Sequence, residues 1–90
     1  MELKEERLSR AISAQSRREI LRLLADQELT VKDIAEKTRM SVSLASRHLK
    51  FLHDLGFLHV KKIFPNKFYS LKVKELKELL IQYDKVISKI

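Results

Sequence analysis

One glycine, Gly56, and one proline, Pro65, stand in ninety residues. These two residue types are the strongest local interrupters of regular structure. A chain with one of each is expected to be helical over most of its length and to change character near those two positions. No repeat, low-complexity tract or linker divides it, so residues 1–90 are expected to form one domain. A chain this short buries only about 60–65% of its unfolded surface, which makes a dimer interface a natural supplement. Hydrophobic residues are 44% and charged residues 34%, a balance that fits a globular protein rather than a disordered one. Cysteine is absent, which excludes disulfides, zinc-thiolate clusters and thiol catalysis. No apolar run exceeds three residues (Leu23 to Ala25, Leu79 to Ile81), too short for a membrane span or a secretory signal. The chain is expected to stay in the cytoplasm.

The helical segments are delimited by their caps. Leu3 to Ser13 reads as a first helix with Leu8, Ala11 and Ile12 on one side. Ser16-Arg17-Arg18-Glu19 has the spacing of a capping box, ahead of a second helix. That helix carries Ile20, Leu21, Leu23 and Leu24 and ends near Asp26-Gln27. Thr30 to Asp33 opens a short third helix whose inner side is Val31, Ile34, Ala35 and Thr38. Ser41 caps a fourth helix reaching about Leu55, where Gly56 supplies the left-handed residue that ends it. Phe57 to Ile63 and Lys67 to Leu71 are rich in aromatic and β-branched residues. With Pro65-Asn66 between them they predict a hairpin. From Lys72 the helical period returns. Leu76, Leu80, Tyr83, Ile87 and Ile90 form a heptad-like seam, widened by Leu79 and Val86.

The third and fourth helices, joined by Arg39-Met40, make a helix-turn-helix, and the hairpin that follows makes it winged. The expected fold is therefore mainly α with a small β-hairpin: four helices, two strands and a fifth helix. Ala45, Leu49 and Leu52 face inward, leaving Ser43, Ser46, Arg47 and Lys50 outward on the fourth helix. Small hydroxyls let a helix sit deep in a major groove, and an arginine there can fork onto guanine or grip phosphate. Leu44 leans outward and either packs on a thymine methyl or rims the core. Lys61, Lys62 and Lys67 flank the hairpin turn and can clamp phosphate. The charge agrees. From Arg39 to Lys74 there are eight basic residues and one acid, Asp54, so this segment carries the whole formal +7 of the chain. A basic middle between neutral ends suggests one face shaped for a polyanion.

With these residues in view, the chain resembles the ArsR-type winged helix-turn-helix repressors. The likeness runs through Ser16 to Leu24, Glu28 to Ala35, the stretch Ser41 to Leu52 (SVSLASRHLKFL) and Gly56-Phe57-Leu58, and spans residues 8 to 71. It implies a DNA-binding repressor that dimerises through its first and last helices. It also implies DNA contacts at Ser43, Leu44, Ser46 and Arg47. Val42 stands at a DNA-facing position that is usually polar in that family. The two cysteines of the family's metal-sensing members are replaced by Thr30 and Lys32, and residues 72–90 hold no histidine for its other metal site. Neither a metal nor a cofactor is therefore expected. The family's frequent glycine in the helix-turn-helix turn is Arg39, which would pay a left-handed penalty of about 1 kcal/mol or reshape the turn. Arg39 is also a candidate phosphate contact.

The resulting expectation is a homodimeric, sequence-specific regulator of double-stranded DNA, most simply a repressor reading an inverted repeat. Its DNA-binding set is Arg39, Ser41, Ser43, Leu44, Ser46, Arg47, Lys50, Lys61, Lys62 and Lys67. Its dimer interface is Leu8, Ile12, Leu76, Leu80, Tyr83 and Ile87, on helices over 3–13 and 72–90. The helix-turn-helix spans 30–55 and the wing 57–71. The three histidines, His48, His53 and His59, do not share metal-ligand spacing. Without paired carboxylates in a cleft, a Gly-rich phosphate loop or a nucleophile beside a base, no enzyme is expected. The rival class is a winged helix that docks on protein inside a larger assembly, which would leave the basic middle segment without a role. Ile63 and Phe64 beside the turn either pack on the domain or form an apolar tip. The sequence defines no effector.

Overall fold

A computed structural model of the chain describes residues 3–90. Its elements are α1 (Lys4–Ile12), α2 (Gln15–Leu24), α3 (Val31–Thr38), α4 (Val42–Asp54), β1 (Leu58–Ile63), β2 (Asn66–Leu71) and α5 (Glu75–Ser88). This is the expected order of four helices, a hairpin and a last helix. One apolar cluster unites them, with Ala11, Ile20, Leu21, Ile34, Ala45, Leu49, Leu52 and Leu71 fully out of solvent.

Local chemistry explains most of the boundaries. The Thr30 hydroxyl accepts from the Asp33 amide at 3.2 Å, and the Asp33 carboxylate accepts from the Thr30 amide at 3.4 Å. This reciprocal pair starts α3. Ser41 starts α4 by accepting from the Leu44 amide at 3.0 Å. Gly56, at φ +94, follows α4 as expected. The expected cap of α2 is different. The helix begins at Gln15 with Ala14 as its N-cap, and the Arg17 and Arg18 amides both donate to the Ala14 carbonyl. Ser16 is thus already inside the first turn, where no capping box can form. Glu19 accepts instead from the Gln15 side chain at 3.5 Å. α2 also stops at Leu24, short of Asp26-Gln27.

The turn between α3 and α4 is not reshaped. Arg39 takes the left-handed conformation itself, at φ 60 and ψ 26, and its amide donates to the Ala35 carbonyl. Beneath the turn, Ala35 and Ala45 are buried. Both belong to the apolar cluster through which α3 and α4 pack.

The wing is a regular antiparallel hairpin paired from Leu58↔Leu71 to Ile63↔Asn66. Phe64-Pro65 is therefore the two-residue turn, with a cis peptide bond between them, and Asn66 already belongs to β2. Leu29 closes the outer edge of β2: its amide donates to the Tyr69 carbonyl at 3.0 Å, and the Tyr69 amide donates back at 2.8 Å. This isolated bridge ties the hairpin to the residue just ahead of α3, so the wing and the helix-turn-helix share one frame.

The last helix corrects the expected seam. Leu76 and Leu80 are each 2% exposed and belong to the core of their own chain. Heptad spacing brings two rows of residues to one side of a helix, and the docking of α5 on α2 consumes this row. Two ion pairs hold the docking, Arg22 to Asp84 and Lys77 to Asp26, both at 2.6 Å. Both are solvent-exposed and modest in worth. Leu8 and Ile12 pack half-buried against the core, and Tyr83 is half-buried under the Arg18 guanidinium, 4.8 Å above its ring. The apolar side chains left exposed on α5 are Leu79, Ile81, Val86 and Ile87, with Ile90 following the helix.

The left-handed Arg39 makes a direct prediction. Arg39→Gly should raise the stability of the fold by up to about 1 kcal/mol, because glycine meets no Cβ penalty there. Chemical denaturation of the two proteins measures it, and an unchanged or lower midpoint would contradict it.

Candidate nucleic-acid interface

α4 buries Ala45, Leu49 and Leu52. The side chains a half-turn away must then face solvent, and Ser43, Ser46, Arg47 and Lys50 are all exposed. They form one stripe from the N-terminus of the helix to its middle. Val42 is 52% exposed at the start of that stripe, and Leu44 is half-buried at its edge. Ser41 is exposed, but its oxygen is occupied as the N-cap acceptor; its hydroxyl proton remains available to an outside acceptor. Arg39 stands exposed at the turn beneath.

The hairpin register sorts the three wing lysines. Side chains alternate between the two faces of a strand. Lys62 and Lys67 are direct cross-strand partners and share a face with Val60 and Tyr69. That face looks toward α4 across a groove of about 560 Å³, lined by Ser46, Lys50, His53, Lys62, Lys67 and Tyr69 among others. A second groove of about 660 Å³ continues past Ser46 and Lys67 to the start of α3. Lys61 lies one residue out of step, on the opposite face, and its ammonium sits 3.2 Å from Glu28. The expected trio of wing lysines is thus a pair on the α4 side and a third paired behind. Lys50 also has a partner, Asp54 at 3.0 Å. This exposed i, i+4 pair is weak enough to open for a stronger anion.

Lys62 opposite Lys67 is unfavourable in isolation, since like charges directly across a ladder repel. No carboxylate lies on either strand, and neither lysine has an acidic partner among the described residues. A polyanion in the groove would relieve that repulsion.

The other flank of α4 carries a cluster that sequence tallies hide. The guanidinium of Arg10 lies 5.1 Å and that of Arg17 4.9 Å from the centre of the Phe51 ring. Arg17 also closes the C-terminal end of α1, donating to the Arg10 carbonyl at 2.7 Å and the Ser13 hydroxyl at 3.0 Å. Its pKa is lowered by desolvation and by the nearby Arg10. His48 is half-buried next to this cluster. Desolvation first, then the charges of Arg17 and Arg47, hold its imidazole below the usual histidine range. It is therefore neutral at neutral pH. Arg10, Arg17 and Arg18 belong to a segment whose charges sum to zero by sequence. The one available sequence signal was their clustering around the junction of the first and second helices. On the α5 side, exposed Leu79 lines an open apolar hollow of about 470 Å³ that α1 shares through Leu8.

No group of three or more potential metal ligands occurs among the described residues. Thr30 and Lys32, which stand where the sensing cysteines would be, are a helix cap and an exposed lysine. No helix among the described residues is long and apolar enough to cross a membrane.

Comparison with known proteins adds to this geometry. The model of the family described as bacterial regulatory protein, arsR family, matches residues 14–60, from the start of α2 into β1. The transcriptional activator HlyU of Vibrio cholerae is 32% identical over 73 residues, covering 81% of this chain and 68% of that protein. Its solved structure superposes with a TM-score of 0.82 at 29% identity, over 92% of this chain and 90% of the other. A homodimeric winged helix-turn-helix DNA-binding domain from Mycobacterium bovis, described as a possible ArsR-family transcriptional regulator, also gives 0.82 at 26% identity. It covers 96% of this chain and 80% of its own. The family model spans more than half of the chain and takes in α2, α3, α4 and the start of β1. This chain is therefore a member of the arsR family of bacterial regulatory proteins.

Proposed function

We propose that the protein is a homodimeric, non-enzymatic transcription regulator that binds double-stranded DNA. α4 enters the major groove, and the wing lies on the flanking backbone. The observation that carries this reading is the single open surface formed by the exposed stripe of α4 and the unneutralised Lys62–Lys67 pair. Ser43, Ser46 and Arg47 are the base-reading candidates, with Leu44 at the edge. Arg39, Ser41, Lys50, Lys62 and Lys67 hold phosphate. Lys61 contributes to the field from behind. Arg10 and Arg17 extend the basic surface beyond α4 on the side away from the wing.

Dimerisation uses α1 and the outer row of α5. The row Leu79, Tyr83, Val86 and Ile90, spaced 4, 3 and 4, replaces the expected pairing through Leu76 and Leu80, with Ile87 beside it and Leu8 and Ile12 beneath. Val86 is 61% and Ile90 96% exposed, and such a row rarely stays in water. The Mycobacterium domain of the same fold is a homodimer. Two-fold symmetry would set the two α4 helices about 34 Å apart, on successive major grooves, and call for an inverted repeat. Repression is the simplest result of such occupancy in the cytoplasm; the position of the site relative to the promoter sets its sign.

Salt and mutation separate the roles. Affinity should fall steeply with salt, with a log–log slope of about 0.9 per phosphate neutralised. Arg47→Ala should cost about 1–3 kcal/mol and relax preference at one base, whereas Lys62→Ala and Lys67→Ala should weaken all sequences alike. Fluorescence anisotropy on selected and scrambled duplexes measures both. Equal weakening of the two duplexes by Arg47→Ala would overturn the division.

Val86→Glu should give a folded monomer by sedimentation at micromolar concentration, since the side chain is exposed in the protomer. Leu80→Glu should unfold the chain, because it buries a charge without a partner. A monomeric wild type would refute the dimer.

His48 predicts a pH effect. Its depressed folded pKa means that the unfolded chain takes up the proton first. Its contribution to stability is present above the ordinary value of about 6.5 and is lost as pH falls toward the folded value. Phosphates beside Arg17 and Arg47 would offset the two charges that disfavour protonation. DNA affinity should then rise as pH falls from 7.5 to 6, and His48→Gln should flatten that rise. A pH-independent wild-type Kd would contradict it.

A further inference from the structure

The wing ends in an aromatic side chain that the rest of the fold does not use. Phe64 is 97% exposed and Ile63 54% exposed, while Tyr69 of the same hairpin is half-buried against the core and Leu58 and Leu71 are buried in it. The hairpin therefore has its own apolar anchor elsewhere, and the tip is not part of the packing. A phenylalanine held almost wholly in water by a two-residue turn is poised for an outside partner.

The surroundings of the tip say which partner. Immediately behind it stand Lys62 and Lys67, directly opposite one another. Lys61 is on the reverse face, and no carboxylate occurs anywhere in the hairpin. A protein surface or a second copy would have to bring acids to this collar, whereas a duplex brings phosphates on both sides of a groove. The dimensions fit as well. Two residues of strand separate the lysine pair from the ring, a span of about 7 Å. The minor groove is about 7.5 Å deep. Lysines seated on the groove's phosphate edges would therefore bring the ring to its floor.

We propose that Phe64 is an intercalating wedge: it enters the minor groove flanking the α4 site, partly unstacks one base step and bends the duplex. Apolar side chains, phenylalanine among them, are suited to this because they replace stacking area without demanding hydrogen bonds, and the bend is toward the major groove. Pyrimidine–purine steps unstack most readily, so the wedge adds a sequence preference outside the bases read by α4. This rests on the DNA-binding reading above, and the test separates the two.

The experiment uses the whole chain and a duplex selected by it from random sequence. Bending is read by energy transfer between dyes at the duplex ends. Unstacking is read by the fluorescence of 2-aminopurine placed at the flanking step, and affinity by anisotropy. Wild type should bend the duplex and brighten the 2-aminopurine. Phe64→Ala should abolish both and weaken binding about tenfold, while the base preference that depends on Arg47 persists. Phe64→Leu should restore part of the bend. Circular dichroism should be unchanged in both variants, since the side chain touches no core residue. A duplex bound tightly but unbent by wild type would overturn the wedge alone. So would a Phe64→Ala variant that bends as wild type does, or one whose only change is a lower oligomer mass in sedimentation. Failure of wild type to bind any duplex would overturn the wedge together with the DNA-binding reading.

Discussion

The burial of Ala45, Leu49 and Leu52 against α2 and α3 is the interaction on which the rest of the molecule depends. The caps of α4 order its ends, but they do not orient it. Each leucine contributes about 2 kcal/mol through the apolar surface it removes from water. Once this stripe is inside, helical geometry leaves no freedom for the opposite one. Ser43, Ser46, Arg47 and Lys50 face outward because their neighbours cannot. The left-handed Arg39 then sets how α3 leads into α4, at a small conformational cost.

Orientation of the wing is a separate problem, solved by two backbone hydrogen bonds. A free two-stranded hairpin is marginal in water. The Leu29–Tyr69 bridge and the buried Leu58 and Leu71 make this one part of the domain. The hairpin's register follows from that anchorage, and with it which lysines look toward α4. One residue of slip would put Lys61 in the groove and turn Lys62 and Lys67 away. The electrostatic surface is thus a consequence of strand pairing as much as of composition.

α5 carries two apolar rows, of which the protomer core uses one. Its inner row, Leu76 and Leu80, completes the protomer core over α2. Its outer row, from Leu79 to Ile90, is largely exposed in the protomer, with only Tyr83 covered, by Arg18. The two rows lie close on the helix surface, so spacing alone could not say which one the protomer core would take. A member of this family without cysteines or a clustered ligand set among the described residues also concentrates its distinctive chemistry elsewhere: in the arginine–aromatic cluster beside α4 and in the apolar tip of the wing.

The order of elements, the caps at Thr30 and Ser41, the left-handed Gly56, the hairpin and the outward stripe of α4 were all legible in the chain. They depend on interactions between residues a few positions apart, which local spacing encodes. The start of α2 was not legible, because the helix is begun by the Ala14 carbonyl, which leaves the Ser16-to-Glu19 spacing inside its first turn. What only the tertiary structure decided is which charges meet. Lys61 with Glu28 and Arg17 over Phe51 join residues that charge sums along the chain treat as independent. It also decided which apolar row of α5 is spent and that Phe64 stands free, because both depend on surfaces brought together from distant parts of the chain. Local propensity specifies segments; the distribution of exposed chemistry belongs to their packing.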